Sequence, residues 1–187
     1  EYTGAEVTSE GFHIYGLDPY QYYSAGYACY LSNPGNQQDS WDIWGNSMPI
    51  TNVKNENIIG YKYFGFGGLD TAQKGLKAFK GVNRKNKTAF NLFLTPKTKS
   101  TFKVNVCIDG PWENETWQGK KIGVINVPAD AEQKTTKFTI DVSDVVDRMD
   151  KKHAIFLVAE GNDSDSLFDL IGLGFSAKNK DIESPEV

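Results

Sequence analysis

The feature that most constrains the fold is a series of six short apolar runs between residues 88 and 175. The runs are seven to ten residues long and each is bounded by Gly, Pro, Asp or Asn. They are TAFNLFLTP, TFKVNVCIDG, KKIGVINVP, TKFTIDV, HAIFLVAEG and LFDLIGLGF. Alternation is complete in the second run, where Phe102, Val104, Val106 and Ile108 face opposite to Lys103, Asn105 and Cys107. Many short strands at even spacing predict an all-β sandwich or barrel.

Only one segment of this region has a helical pattern. Residues 142–152 predict a helical turn with Ser143 as its N-cap. A second possible helix at 71–79 is weakened by Gly75.

Antiparallel succession of the strands also predicts which loops meet. The loops near Asn55 and Thr98 and those at 129–135 and 161–166 fall at one end of the sandwich. The segments 68–87, 109–120 and 143–152 fall at the other end.

Length and charge limit the class of protein. The 187 residues suffice for one domain, which we expect to span 1–178, with 1–50 an atypical aromatic-rich part and 179–187 a polar tail or linker stub. A net charge of −4 argues against nucleic acid and anionic membranes as partners. The longest apolar stretch, 154–159, is too short for a membrane span. The start at Glu1 without a methionine suggests a mature fragment or an excised module.

The two cysteines, Cys29 and Cys107, favour two separate buried thiols, since a core of this size needs no disulfide. Together with His13 and His153 they show no zinc-site spacing.

From residue 52 to residue 175 the chain resembles the family 6 carbohydrate-binding modules. The similarity lies in VKNENIIGYKYFGFG, in FKVNVCIDG followed by KKIGVINVP, and in the pair 153–161 and 167–175. GYKYF in particular is similar to modules appended to family 43 glycoside hydrolases of plant-polysaccharide-degrading bacteria. The resemblance implies a jelly-roll β-sandwich of two antiparallel sheets, no catalysis, and binding of a plant polysaccharide such as xylan.

The resemblance also implies a cleft at the end where the loops near Asn55 and Thr98 meet. In the family this cleft uses a tyrosine, a tryptophan and an asparagine. Their positions correspond here to Asn52, to the loop 129–135, which has no aromatic residue, and to Asp169. The acidic pair with which the family holds structural calcium is not recognisable.

Aromatic residues are the natural contacts for sugars, because a flat ring stacks on the C–H face of a pyranose with little loss of side-chain entropy. The candidates are Tyr20, Tyr22, Tyr23, Trp41 and Trp44. We assign Tyr15, Tyr27 and Tyr30 to the core.

Two loops supply further candidates. Trp112 and Trp117 lie in a polar hairpin that could bind sugar, contact a neighbouring catalytic domain, or fold back onto the sheet. Asn55, Asp165 and Asp169 could contact hydroxyls, and the carboxylates of the 162–169 loop could hold a structural calcium ion or remain solvated.

Catalysis has little support. A glycosidase needs two carboxylates facing each other across a cleft, and only Glu160 lies at a strand end. We therefore predict a secreted or cell-surface, non-catalytic module that binds xylan or arabinoxylan and targets a covalently linked hydrolase. The alternatives are a structural domain that braces the hydrolase without binding sugar and a small jelly-roll glycosidase.

Overall fold

The computed structural model describes residues 16–33, 48–66 and 88–185. Within these ranges the chain forms ten strands, one 3-10 turn (Ala25–Tyr27) and one short helix, α1 (Ser143–Val146). The strands are β1 (Tyr23–Ser24), β2 (Tyr30–Leu31), β3 (Ile50–Lys54), β4 (Ile58–Gly65), β5 (Ala89–Pro96), β6 (Phe102–Glu113), β7 (Gln118–Val127), β8 (Thr136–Asp141), β9 (Lys152–Glu160) and β10 (Ser166–Ser176).

The strands form two antiparallel sheets. The first sheet has the order β1-β10-β5-β8, with β3 also paired to β10, and the second sheet has the order β2-β4-β9-β6-β7. Every pairing between these strands is antiparallel. The chain therefore crosses repeatedly between the sheets, and the predicted jelly-roll β-sandwich is confirmed.

The core lies between the two sheets and is built from the inward row of each strand. In β6 the inward row is the predicted one, Phe102, Val104, Val106 and Ile108, and all four are buried in the main cluster. The outward residues Asn105 and Cys107 are also buried, at 8% and 1% exposure. Other side chains must therefore cover part of the outer face of the second sheet.

The aromatic opening segment joins the two sheets along one side of the sandwich. Tyr23 pairs with Leu173 in the first sheet, and Tyr30 pairs with Gly60 in the second. Between them the Tyr61 hydroxyl donates a 2.8 Å hydrogen bond to the Ala25 carbonyl. The segment closes the edge of the core.

The outer face of the first sheet is covered by the chain's own segments. Ile182 is 5% exposed and lies over Gly174, and the Tyr22 ring lies over Gly172. Lys137 Nζ fixes the tail by donating to the Ile182 carbonyl at 3.0 Å and to two tail carboxylates. Residues 181–184 of the predicted polar tail therefore pack on this sheet, because the glycines of β10 leave room for them.

The predicted helical turn exists, but its cap differs from the prediction. The N-cap is Val142, and Ser143 is the first helical residue. Both the backbone N–H and the hydroxyl of Ser143 donate to the Asp141 carboxylate, at 2.8 and 2.6 Å. The Asp141 carboxylate thus satisfies the N–H of the first helical residue, which has no acceptor within the helix. The possible helix at 71–79 lies outside the described residues.

Candidate functional site

The outer face of the second sheet carries a cluster of aromatic rings. Along β9 the side chains of Ala154, Phe156 and Val158 point away from the core, while Ile155 and Leu157 point into it. Register across the sheet then places Cys107, Phe156, Gly60 and Tyr30 in one row. We call the surface formed by Tyr30, Tyr63, Trp117 and Phe156 the aromatic face.

Phe156 is the base of the aromatic face. It is 2% exposed because Trp117 packs against it with ring centroids 5.2 Å apart and Tyr30 packs against it at 6.2 Å. Trp117 and Tyr30 also touch each other, with centroids 6.0 Å apart and ring planes 75° apart. A side chain at Gly60 would meet the Phe156 ring at 2.7 Å, so only glycine lets this ring lie across β4. The two upper rings are therefore fixed by packing before any ligand arrives.

Trp117 reaches the aromatic face from the hairpin between β6 and β7. The side-chain oxygen of Asn114 accepts hydrogen bonds from the backbone N–H groups of Thr116 and Trp117, both at 2.8 Å. The Asn114 N–H donates to the Trp117 carbonyl at 2.8 Å. This asparagine turn directs the indole back over the sheet. Trp117 therefore folds back onto the sheet, whereas sugar binding by Trp112 and Trp117 stays a prediction.

At the hairpin end of the aromatic face, Tyr63 lies between two lysines. The ammonium groups of Lys62 and Lys152 are 5.8 and 5.2 Å from its ring centroid. Cations at this distance are attracted to the negative face of an aromatic ring.

At the opposite end of the same sheet, the face becomes polar. Glu160 accepts a hydrogen bond from Asn105 at 3.2 Å and lies 3.4 Å from Lys103 Nζ. The hydrogen bond from Asn105 lowers the pKa of the Glu160 carboxyl below its ordinary value. A shallow groove of about 830 Å³ passes these side chains and reaches Ser100 and Asn162. Aromatic surface and hydroxyl-binding groups thus share one side of the molecule.

Four loops meet at one end of the sandwich, as strand parity predicts. They are residues 55–57, 97–101, 129–135 and 161–165, which we call the polar loop end. Hydrogen bonds join them: Gly161 N to Asn55 Oδ1 at 2.9 Å, Thr98 Oγ1 to Asp165 Oδ2 at 2.7 Å, and Gln133 Nε2 to the Lys97 carbonyl at 3.3 Å. Asn55 also donates to the Asp163 carboxylate. The predicted meeting of these loops is confirmed.

The positions that correspond to the cleft implied by the resemblance lie beside this end. Asp169 accepts from the Asn52 N–H at 2.9 Å and pairs with Lys97 at 3.1 Å, while Ser166 donates to Asn52 Oδ1 at 3.0 Å. These groups bind one another rather than line an open cleft. Among the described residues, no three His, Cys, Asp or Glu side chains gather as a metal site, so calcium binding stays a prediction.

The predicted sugar-stacking tyrosines have a different distribution from that expected. Tyr20 is fully buried, so its prediction as a contact residue is wrong. Tyr22 packs edge-on against Phe93 at 5.2 Å on the outer face of the first sheet, and the hydroxyl of Tyr23 donates to the Asp18 carbonyl at 2.7 Å. Trp41 and Trp44 lie outside the described residues.

The tyrosines assigned to the core are instead among the most exposed rings. Tyr30 is 37% exposed and Tyr27 is 46% exposed, while Trp112 of the predicted hairpin is 44% exposed. Tyr15 lies outside the described residues. The exposure of Tyr30 could not be predicted, because the direction of its side chain depends on which sheet β2 joins. Residues 154–159 are all apolar, so the sequence of β9 has no alternation that could mark Phe156 as outward.

Cys29 and Cys107 are both free, as predicted, but only Cys107 is buried. Burial raises the pKa of the Cys107 thiol. Cys29 is exposed at the edge of the second sheet, where its thiol contacts the Gly60 carbonyl at 3.4 Å.

His153 joins the start of β9 to β6. Its Nδ1 lies 2.9 Å from the Asp109 carboxylate and its Nε2 lies 2.7 Å from the Asp150 carbonyl. The hydrogen bond with Asp109 raises the pKa of His153 above its ordinary value, although partial burial opposes the shift. Two acceptors on two ring nitrogens favour the protonated imidazole. His153 thus has a structural role, tying the start of β9 to Asp109 of β6.

In the part of the chain that the structure describes, no helix has the length and apolar character needed to span a bilayer.

Comparison with solved structures identifies the architecture. The module CsCBM6-3 of Clostridium stercorarium, solved with cellobiose, matches at a TM-score of 0.55 and 16% identity over 84% of this chain and 93% of that one. Another family 6 carbohydrate-binding module matches at 0.55 and 14% identity over 86% and 95%. The chain has the fold of the family 6 carbohydrate-binding modules.

The same family 6 fold occurs within a larger enzyme chain. A family 43 arabinoxylan arabinofuranohydrolase from Bacillus subtilis, solved with cellotetraose, matches at a TM-score of 0.57 and 17% identity. The match covers 92% of this chain and 33% of the enzyme chain. No protein-family model and no curated protein sequence matches the chain.

Proposed function

We propose that this protein is a non-catalytic carbohydrate-binding module that holds a plant cell-wall polysaccharide, with xylan or arabinoxylan favoured, on its aromatic face. The observation that carries the proposal is the pair formed by Tyr30, which is 37% exposed, and the partly buried Trp117, both packed over Phe156 on the outside of a sandwich with the family 6 fold. Rings that are already fixed by packing lose little entropy when a pyranose stacks on them.

The groove beside Glu160 supports the same proposal. Lys103, Asn126 and Glu160 bring amide, ammonium and carboxylate groups to the side of the aromatic face. Sugar hydroxyls both donate and accept hydrogen bonds, so such a mixed set suits them. A glycan chain lying along the sheet would place one residue on the rings and further residues along this groove.

The cellular role follows from the fold in other proteins. The family 6 fold forms about a third of the Bacillus subtilis arabinoxylan arabinofuranohydrolase chain. We infer that this module likewise acts outside the cell, covalently linked to a glycoside hydrolase that it keeps near its polysaccharide. Trp41 and Trp44 remain predicted contacts, and Asn55, Asp165 and Asp169 are proposed to fix the polar loop end.

Isothermal titration with xylan, arabinoxylan and β-glucan oligosaccharides tests the proposal. We expect binding to at least one xylan-derived ligand and at least about a tenfold loss of affinity in Tyr30→Ala, because truncation removes one stacking surface. Tyr27→Ala is the matched control, since Tyr27 is 46% exposed, somewhat more than Tyr30, but packs against Tyr23 away from the aromatic face. No heat with any glycan, or equal losses in the two variants, would refute the proposed site.

A further inference from the structure

Three lysines of the second sheet lie beside the aromatic face. Lys62 and Lys152 place their ammonium groups over the Tyr63 ring. Lys121 pairs in register with Cys107 and so lies in the row that continues to Phe156. The three cations thus lie along two sides of the same ring cluster.

In the part of the chain that the structure describes, these lysines make no ion pair. Within the described ranges, no Asp or Glu oxygen lies within 4.0 Å of the ammonium groups of Lys62, Lys121 or Lys152. By contrast, Lys97, Lys103 and Lys137 all make ion pairs. The cations that border the rings are therefore available to a ligand.

The acidic groups of this face are already engaged. Glu160 pairs with Lys103, and Asp109 pairs with His153. The hairpin next to the face adds Glu113, Glu115 and Lys120, all exposed and without a salt bridge among the described residues. The neighbourhood of the rings is thus net positive on a chain whose overall charge is −4.

A neutral glycan would gain nothing from this arrangement, whereas a carboxylate on a stacked sugar would. An ammonium–carboxylate contact is stronger beside the rings than in bulk water, because the rings remove part of the surrounding solvent. We propose that the aromatic face selects glycans that carry uronic acid groups, with the ring cluster holding the pyranose faces and Lys62, Lys121 and Lys152 holding the carboxylates. This inference rests on the proposed function.

The test compares ligands that share a backbone. Isothermal titration is carried out with a xylo-oligosaccharide, with the same oligosaccharide bearing one glucuronic acid, and with an oligogalacturonate of equal length. We expect the acidic xylo-oligosaccharide to bind roughly tenfold more tightly than the neutral one at low salt, and the difference to shrink in 0.5 M NaCl, at roughly three times the ionic strength of physiological buffer, because exposed charges are screened. The oligogalacturonate distinguishes binding of a uronic acid that branches from the glycan backbone from binding of uronic acids within that backbone.

Two variants measure how much the lysine charges contribute to binding. The double variant Lys62→Gln/Lys152→Gln removes both charges and leaves a polar side chain at each position, so we expect its affinity for the acidic oligosaccharide to fall more than its affinity for the neutral one, and most of the preference to be lost. Lys178→Gln removes an exposed charge that lies just after the end of β10 in the first sheet, and is expected to change neither affinity.

The outcomes are distinct. Equal affinity for the acidic and neutral oligosaccharides, or an unchanged preference in the double variant, overturns the inference but leaves the proposed function intact. Equally strong binding of heparin, a sulfated polyanion, also overturns it, since a general attraction to polyanions would then explain the result. No binding of any glycan refutes the proposed function itself.

Discussion

The polar loop end and the aromatic face differ in whether their side chains bind one another or leave a surface exposed to solvent. At the polar loop end the charged and amide groups bind one another, as in the contacts of Asp169 with Asn52 and Lys97. On the aromatic face, Tyr30 and Trp117 are supported from below and remain open above. A group that is already satisfied gains little from a ligand, whereas a supported open ring gains the full contact.

The same contrast holds between the two outer faces of the sandwich. Within the described residues, the first sheet is covered by Tyr22 and by the tail around Ile182, whereas the cover of the second sheet consists of the aromatic face. The two outer faces of this part of the chain therefore differ in what they expose.

The largest effect is expected from removing the base of the aromatic face. Phe156→Ala should lower the free energy of unfolding by about 3 kcal/mol, because Phe156 is 2% exposed and supports both Trp117 and Tyr30. Urea denaturation measures this, with Phe156→Leu as a control that keeps apolar volume and should lose clearly less. A loss below about 1 kcal/mol in Phe156→Ala would mean that the rings do not depend on this base.

The next largest effect concerns binding alone. Trp117→Ala should weaken glycan affinity by at least about tenfold, while Trp117→Phe, which keeps a flat ring, should recover part of it. Titration with a xylan-derived ligand and a thermal melt of each variant separate affinity from folding. Unchanged affinity in Trp117→Ala would leave the aromatic face without a role in binding.

A smaller effect is expected at the polar loop end. Asp169→Asn removes the ion pair with Lys97 but keeps an acceptor for the Asn52 N–H, so stability should fall by less than about 1 kcal/mol and glycan affinity should not change. The same ligand series measures both. If Asp169→Asn abolished binding while Trp117→Ala did not, the site would lie at the loops, as the resemblance implied, and the comparison would be reversed.

The smallest effect concerns the pH dependence of stability. His153 has a raised pKa in the folded protein, chiefly through Asp109. The contribution of His153 to the free energy of unfolding is therefore complete below the unfolded-state pKa of about 6.5. It disappears as the pH rises through the higher folded-state pKa. Urea denaturation from pH 5 to pH 9, which brackets that unfolded-state pKa, should show this decline in the wild type and not in His153→Gln. An equal decline of stability in the wild type and in His153→Gln would assign the pH dependence to another titratable group.

Much of the fold could be predicted because the two-residue period of a strand, and the Gly, Pro, Asp or Asn residues that bound it, are local properties of the sequence. The inward row of β6 from Phe102 to Ile108 and the meeting of the loops at Asn55, Thr98 and Asp165 both follow from alternation and strand order. The fate of the tail could not be predicted, because the packing of Ile182 depends on the space left by Gly174 in a distant strand.

The sequence by itself determined that this chain is an antiparallel β-sandwich with surplus aromatic residues. Only the tertiary structure decided which aromatics stay open. Tyr20 and Tyr30 belong to one short segment that passes from one sheet to the other, so no single period relates their faces. Burial there is set by strands far away in sequence, which bury Tyr20 completely and leave Tyr30 beside Trp117 at the surface.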